Sequence, residues 1–398
     1  MAHVDLPHLE SLQQAVQRLA PVIRAYADET EQNRRLAPPV VAAIAEAGLF
    51  RMMTPQALGG FEAHPLTFYH IVEEVARLDG STGWCLFIAG CNPLMGAFLP
   101  DHTAAEVFGR DPHVAVAGVV LPYGRAVAQD GGYVVHGHWS YGSGCQHCAW
   151  IFCMCQVWDG ERQRLTASGE PEVRALFLRT AQVRILDTWD VSGLAGTGSH
   201  DVVIDNVFVP EAYTCAFGLG MTPCSTYYQG LLYRYPLYGV FALPISAVAL
   251  GIAQGAVDAC LELAQTGRPS GNPARLGERA LFHLRLAEAV ALVRSARAWL
   301  HAAVQQAWEA LQTHGEVYME ARADLLLAAA NATRSAAAAV DSLYTIAGAS
   351  ANYRRSPLQR ALRDVHAATQ HMGTALPQFE SAGRMLVGLP PLQPHILL

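Results

Sequence analysis

Three short stretches hold the side chains best suited to moving a proton or gripping a ligand. In GHWSYGSGCQHCAW, residues 137–150, Ser143 stands on a turn between Gly142 and Gly144. Glycine lets a backbone approach a ligand closely, and the hydroxyl there can donate to a nearby nitrogen or oxygen. The plainer reading is a serine in an ordinary turn. In RDVHAATQHMGT, residues 363–374, His371 is the candidate general base, because an imidazole with its ordinary pKa of ~6.5 can take a proton at neutral pH. On a continuous helix His366 points roughly 140° away from His371, and Asp364 lies about 10.5 Å from it along the axis. Neither then shares its site. In GLAGTGSHD, residues 193–201, Thr197 and Ser199 can reach ligand oxygens from a glycine-rich loop. Gly196 and Gly198 make no dinucleotide fingerprint, since no βαβ unit surrounds them.

Cys145, Cys148, Cys153 and Cys155 invite a zinc or redox reading. Zinc motifs pair such a CxxC with a second pair, and none follows; buried thiols in strand-like core are the better reading. No metal is expected.

The elements that must position these residues change texture twice. Apolar positions recur at helical spacing from Leu12 to Tyr26, Pro38 opens a second helix towards Leu49, and further helices are expected over 66–78 and 81–99, the last capped by Ser81. From about His113 to Phe217 short β-type runs such as VAVAGVV and DVVIDNVFV are broken by Gly, Pro and Asp, as strands joined by turns are. Gly131-Gly132 marks a hairpin. After Tyr233 alanine-rich helices return over 242–264, 276–312, 317–347 and 358–372, lengths that suit a four-helix bundle. The expected fold is α+β and multi-domain: an N-terminal helical domain over 1–111, a middle β-barrel or sandwich domain over 112–217 and a C-terminal four-helix bundle over 218–398.

Bulk properties exclude several functions. The chain has 398 residues and a net charge of -7, with 52% hydrophobic and only 15% charged residues. The acidic balance leaves no basic footprint for nucleic acid. No uninterrupted apolar run approaches the ~18 residues of a spanning helix, and the start, MAHVDLPHLES, does not read as a signal peptide. With so few charges to coat a monomer, some apolar surface is expected to be buried between subunits. Nine scattered cysteines fit reduced thiols and a cytoplasmic protein.

Three stretches resemble signatures of the acyl-CoA dehydrogenase family. MMTPQALGG (52–60) is similar to its early PE-x-GG turn, DTWDVSGLAGTGSHDVVIDNVFVP (187–210) to its middle-domain signature, and AGASANYRRSPLQRALRDVHAATQHMGT (347–374) to its closing helix with the Arg-Asp pair. The resemblance spans nearly the whole chain and implies the same three-domain order and a homotetramer. Dehydrogenase members use a glutamate base within a Y-E-G-T segment; His371 and Met372 stand at the Y-E positions here, and methionine accepts no proton. The other place for that base lies early in the bundle, yet between Glu211 and Asp258 there is no acid.

A second branch fits better. The stretch from Gly137 to Trp150 resembles the G-x-W-x-[FY]-x-SG-x-x-H-x-x-W motif of the two-component flavin monooxygenases, whose closing helix also carries Arg-Asp followed by His, as at Arg363, Asp364 and His371. The resemblance implies an oxygenase that receives reduced FAD or FMN from a separate flavin reductase. It implies reaction of molecular oxygen to a C4a-hydroperoxyflavin and hydroxylation of an aromatic or related small molecule. It gives His371 and Ser143 catalytic roles, and Trp139, Tyr141, Ser143, Gly144, Thr197 and Ser199 cofactor contacts. Asn92, His147, Tyr235 and Met372 are candidates for the substrate pocket. Trp139 either walls the flavin or fills the β core; Trp150 and Trp189 are assigned to the core. Some relatives carry a His near Cys91 and Asn92, and this chain does not. Arg268 and Arg275 remain candidates for a flavin phosphate in a neighbouring subunit. An acyl-CoA dehydrogenase or oxidase with an atypical base, and a binding protein without chemistry, are the alternatives.

Overall fold

The computed structural model describes residues 6–219, 221–266 and 275–393. Arg268 lies outside them, as do any flavin contacts it makes. The N-terminal helices are α1 (Leu9–Gln32), α2 (Pro38–Glu46), α3 (Pro65–Leu78), α4 (Gly80–Cys91) and the single turn α5 (Asp101–Ala104). Pro38 and Pro65 sit in first turns, where the missing N–H costs nothing. Helix α4 was expected from Ser81 to Leu99 with Ser81 as its cap. Asp79 is the cap instead, accepting from the Thr82 N–H at 2.7 Å and the Thr82 hydroxyl at 2.6 Å. The helix ends at Cys91, because Pro93 directs the chain into a 3-10 segment. Almost every residue of α4 is buried, as happens when a helix is apolar all round.

The middle domain has strands β1 (Val116–Gln129), β2 (Gly132–Gly142), β3 (Trp150–Asp159), β4 (Arg162–Gln163), β5 (Val173–Arg179), β6 (Arg184–Leu186), β7 (His200–Pro210) and β8 (Thr214–Phe217). They form one sheet in the order β6-β7-β2-β1-β3-β5-β8, with β4 beside β3. The β1–β2 hairpin turns at Gly131, whose φ is +77°. The β2–β7 ladder jumps from Trp139↔Val202 to Gly142↔His200. Three residues advance on β2 against two on β7, which is a β-bulge, and Tyr141 in it takes a left-handed φ of +69°. A bulge bends its strand and re-aims the residues after it. Ser143 is the second residue beyond Tyr141.

The C-terminal domain holds α6 (Leu237–Phe241), α7 (Ile245–Thr266), α8 (Ala280–His314), α9 (Met319–Ala347), α10 (Pro357–Thr369) and α11 (Pro377–Leu386). The stretch 237–265 is long and apolar enough to cross a bilayer, contrary to the reading of the sequence. Yet 83% of its apolar window is buried inside the protein, where α7 packs on α3, α9 and α10. Its apolar surface is consumed by the fold. Helix α10 stops at Thr369, so His371 stands in the turn beyond it, and helical angles from His366 or Asp364 do not describe its direction. Helix α11 has no counterpart in the reading of the sequence.

Replacing Asp79 with Ala removes both bonds and leaves the buried Thr82 N–H without its partner. A lost cap of this kind costs about 1–2 kcal/mol. The thermal midpoint of Asp79→Ala should fall below that of Asp79→Asn, which keeps an acceptor; equal midpoints would remove the cap from the account of α4.

Candidate active site

The bulge at Tyr141 turns the chain so that Ser143 faces inward, towards the loop 192–199. Gly144, with φ +70°, brings its N–H onto the Thr197 carbonyl at 2.9 Å; a side chain there would be strained and would crowd His147, at 3.0 Å from the added Cβ. Ser143 Oγ lies 2.7 Å from Ser199 Oγ, and Ser199 Oγ lies 2.7 Å from Thr197 Oγ1. Thr197 Oγ1 donates to the Leu194 carbonyl at 2.8 Å. All three hydroxyl residues are buried. At the other end, Trp84 on α4 donates its indole N–H to Ser143 Oγ at 3.1 Å.

Trp84 also meets His371, edge to face, with ring centroids 5.7 Å apart. One indole therefore touches both residues chosen for catalysis from stretches 228 positions apart in the chain. The turn holding His371 is fixed from two sides. Gly373 N–H donates to His371 Nδ1 at 3.0 Å, and Tyr238 donates its hydroxyl to the Gly373 carbonyl at 3.2 Å. A backbone N–H can only donate, so Nδ1 is an acceptor and the proton of the neutral ring sits on Nε2. Burial pushes the imidazole pKa down to about 4. In this setting His371 is a neutral hydrogen-bond donor through Nε2.

The loop that carries Thr197 and Ser199 is docked on α10. The Leu194 N–H donates to Asp364 Oδ1 at 2.6 Å, Arg363 donates to the Ser192 carbonyl, and a Cβ at Gly193 would lie 2.1 Å from the Arg363 carbonyl oxygen. Glycine is required by that approach. Burial raises the Asp364 carboxyl to about 7, while the Leu194 N–H pulls the other way.

The remaining candidates separate. Tyr141 is 64% exposed and meets Trp189 edge-on with centroids 6.1 Å apart; Trp189 is itself half-buried, with its indole N–H on the Leu194 carbonyl, and does not fill the core. Trp139 does fill the core: it is 1% exposed and donates to the Met154 carbonyl at 2.8 Å. Asn92 is spent on the Val116 carbonyl, 2.6 Å away, joining the helical domain to β1. His147 stacks on Phe50 behind the Ser143 turn, its Nε2 buried without a partner. Tyr235 packs near Trp308 on α8, with no contact to Trp84 or His371 among the described ones. Met372 is 39% exposed. Arg275 uses its backbone N–H on Glu278. Cys145 and Cys148 lie in the turn after β2 while Cys153 and Cys155 are on β3, all four buried. Trp84 and Tyr238 were missed. The signal for Trp84 was available: an indole N–H in so apolar a helix must find its acceptor elsewhere.

A flavin fits this set. Three neutral hydroxyls, on Ser143, Thr197 and Ser199, offer polar contacts without a charged side chain, and Tyr141 with Trp189 offers an aromatic flank. Two surface hollows, of about 480 and 360 Å³, lie elsewhere and are lined by Leu58, His102 and Arg110 and by Glu309, His314 and Asp324 respectively.

His64, His70 and His147, like His371, are held by burial at pKa values of about 4. The unfolded chain therefore takes up protons that the folded one refuses. Stability conferred by the neutral rings is whole above about pH 6.5 and is lost as pH falls towards 4. Thermal midpoints measured across that window should decline, with a shallower decline in His147→Gln; a flat profile would contradict the buried neutral rings.

Residues 7–99 match the family described as "Acyl-CoA dehydrogenase, N-terminal domain" and residues 243–375 the one described as "Acyl-CoA dehydrogenase, C-terminal domain". The indole-3-acetate monooxygenase of Pseudomonas putida is 33% identical over 94% of this chain and 92% of its own length. The FADH2-dependent resorcinol hydroxylase, oxygenase component, of a Rhizobium species is 30% identical over 96% of this chain and 93% of its own. The crystal structure of 3-HSA hydroxylase from Rhodococcus sp. RHA1 matches with a TM-score of 0.88 at 30% identity, covering 96% of this chain and 98% of that one.

Proposed function

Since the chain belongs to the acyl-CoA dehydrogenase superfamily, among its flavin-dependent monooxygenases, we propose that it is the oxygenase component of a two-component system. It takes reduced flavin, FADH2 or FMNH2, from a separate flavin reductase and hydroxylates an aromatic or related small molecule. The observation that carries this reading is Trp84, whose indole contacts both Ser143 and His371. Bound reduced flavin would supply the activation of molecular oxygen. The chain's own part is to hold the ring against the Ser143, Thr197 and Ser199 hydroxyls, to keep water out, and to present one neutral donor to substrate.

That donor is His371 Nε2–H. A phenol is a weak acid, and burial lowers the basicity of His371, so full proton transfer to this ring is disfavoured. A hydrogen bond from Nε2 to the substrate oxygen avoids that cost and favours negative charge building there during attack. Dehydrogenase chemistry lacks such support: Asp364 is the buried carboxyl nearest in the chain, and its Oδ1 is occupied by the Leu194 N–H.

A tetramer is part of the proposal. Leu281, Leu284, Leu292 and Trp299 are exposed large apolar side chains along α8, a stripe suited to burial against a second copy.

The protein should bind reduced flavin anaerobically and, given labelled dioxygen, a reductase and a suitable phenol or indole, should place the label in the product. Bleaching of tightly held oxidised flavin by an acyl thioester would select the dehydrogenase reading instead. His371→Ala should lower hydroxylation on the order of 10²-fold, while His371→Asn, whose amide can accept from Gly373 and donate to substrate, should recover most of it. If Asn is as damaging as Ala, proton acceptance is the role and the donor assignment is wrong. Light scattering should give four copies per particle.

A further inference from the structure

One indole on α8, away from the active site, gathers three buried polar atoms without partners. Trp308 meets His64, the cap residue of α3, edge to face with ring centroids 4.6 Å apart. It meets the Tyr235 ring at 6.0 Å, and Gln305 stands three positions earlier on the same helix, hence on the same face. His64 Nε2, Gln305 Oε1 and the Tyr235 hydroxyl are all buried, and none has a hydrogen-bond partner among the described residues. Tyr235 is only 3% exposed. Buried polar atoms in folded proteins are nearly always paired, so three around one ring point to something that pairs with them.

The hydrogen-bonding sense of two of these atoms is fixed. His64 Nδ1 accepts the Leu66 N–H at 3.0 Å, so the neutral ring carries its proton on Nε2, which is a donor. Burial keeps that ring neutral, at a pKa of about 4. The Gln305 amide nitrogen donates to the Glu309 carboxylate at 2.9 Å. A carboxylate only accepts, so the amide cannot be turned over and Oε1 is an acceptor. A hydroxyl accepts one hydrogen bond and donates another, which matches the pair. The Trp308 and Tyr235 rings add flat apolar walls, and aromatic walls with a few placed polar groups are what small-molecule sites are made of.

We propose that His64, Tyr235, Gln305 and Trp308 form a second binding site, outside the active site, for a hydroxylated aromatic molecule. Its hydroxyl accepts from His64 Nε2 and donates to Gln305 Oε1, and its ring lies against Trp308. The choice of ligand rests on the functional reading above, because a hydroxylated ring is also what that reaction consumes or forms. Helix α6 links the two sites. Tyr235 stands two residues before it, and a Cβ at Gly239 would lie 2.7 Å from the Tyr235 ring. Tyr69 donates to the Gly239 carbonyl at 2.6 Å, while Tyr238 of the same helix donates to the Gly373 carbonyl beside His371. A ligand at Tyr235 is thus one short helix away from the turn that holds His371.

The test is binding rather than turnover. Full-length protein without flavin is titrated with para-fluorophenol and with para-fluoroanisole while the indole N–H resonances are followed, Trp308→Phe identifying the one that belongs to Trp308. The phenol should shift that resonance and bind about fivefold more tightly than the anisole, which has no proton to donate to Gln305. Gln305→Leu should abolish the preference. Tyr235→Phe should weaken the phenol by about fivefold, which covers the case in which the leucine variant fails to fold. His371→Ala should leave binding at Trp308 unchanged. No shift at Trp308 (the outcome if water alone pairs with these atoms), equal affinity for the two probes, or loss of binding in His371→Ala overturns the proposal. The labelled-dioxygen experiment decides the oxygenase reading separately. Incorporation without binding at Trp308 removes only the second site, and binding at Trp308 without incorporation removes only the oxygenase.

Discussion

The buried hydrogen bond from the Leu194 N–H to Asp364 Oδ1, 2.6 Å long, is the joint on which the candidate active site hangs. It fastens the loop of the middle domain to helix α10 of the C-terminal domain. One side of the joint leads within a few residues to Thr197 and Ser199, the other to His371. Gly193 permits the contact by removing the only atom that would collide with the Arg363 carbonyl. Buried polar groups lose most when half of a pair is missing, so the two domains hold their relative register strongly at this point. The Arg-Asp pair is structural, and its structural task is to bring two halves of one site together.

Around that joint the protein builds a site of unusual neutrality. Charged groups cluster just outside, in the pairing of Arg360 and Arg363 with Glu31, while the inner surface is made of hydroxyls, an indole, a phenol and an uncharged imidazole. Burial enforces this, holding His371 and His147 well below the usual imidazole range. In such surroundings a few oriented dipoles outweigh what they would contribute in water. Trp84 belongs to the same design: a helix without a solvent face offers its indole hydrogen to the adjoining domain.

Much of this was legible in the sequence. The three-part texture, the hairpin at Gly131 and the neighbourhood of Ser143 with Thr197 and Ser199 all came from motifs whose residues are local. Errors arose where a partner distant in the chain decides the outcome. Ser81 lost the cap of α4 to Asp79, a matter of one turn and invisible to spacing alone. Trp139 lies in an aromatic motif yet spends its N–H on Met154 in a neighbouring strand, and Asn92 spends its amide on Val116. The direction of His371 was not legible because α10 ends two residues before it, and the acceptor state of Nδ1 is dictated by a backbone N–H that no pattern of residue types reveals.

The bulge at Tyr141 has a consequence for how this segment can vary. Side chains on a strand alternate between faces, so any residue beyond a bulge owes its facing to a count as well as to its identity. Losing one residue between Trp139 and Gly142 would restore an even ladder with β7 and swing Ser143 to the opposite side of the sheet, even with every named residue retained. Insertions and deletions here would thus disturb the site as much as substitutions, because the length of this short segment decides which way Ser143 faces.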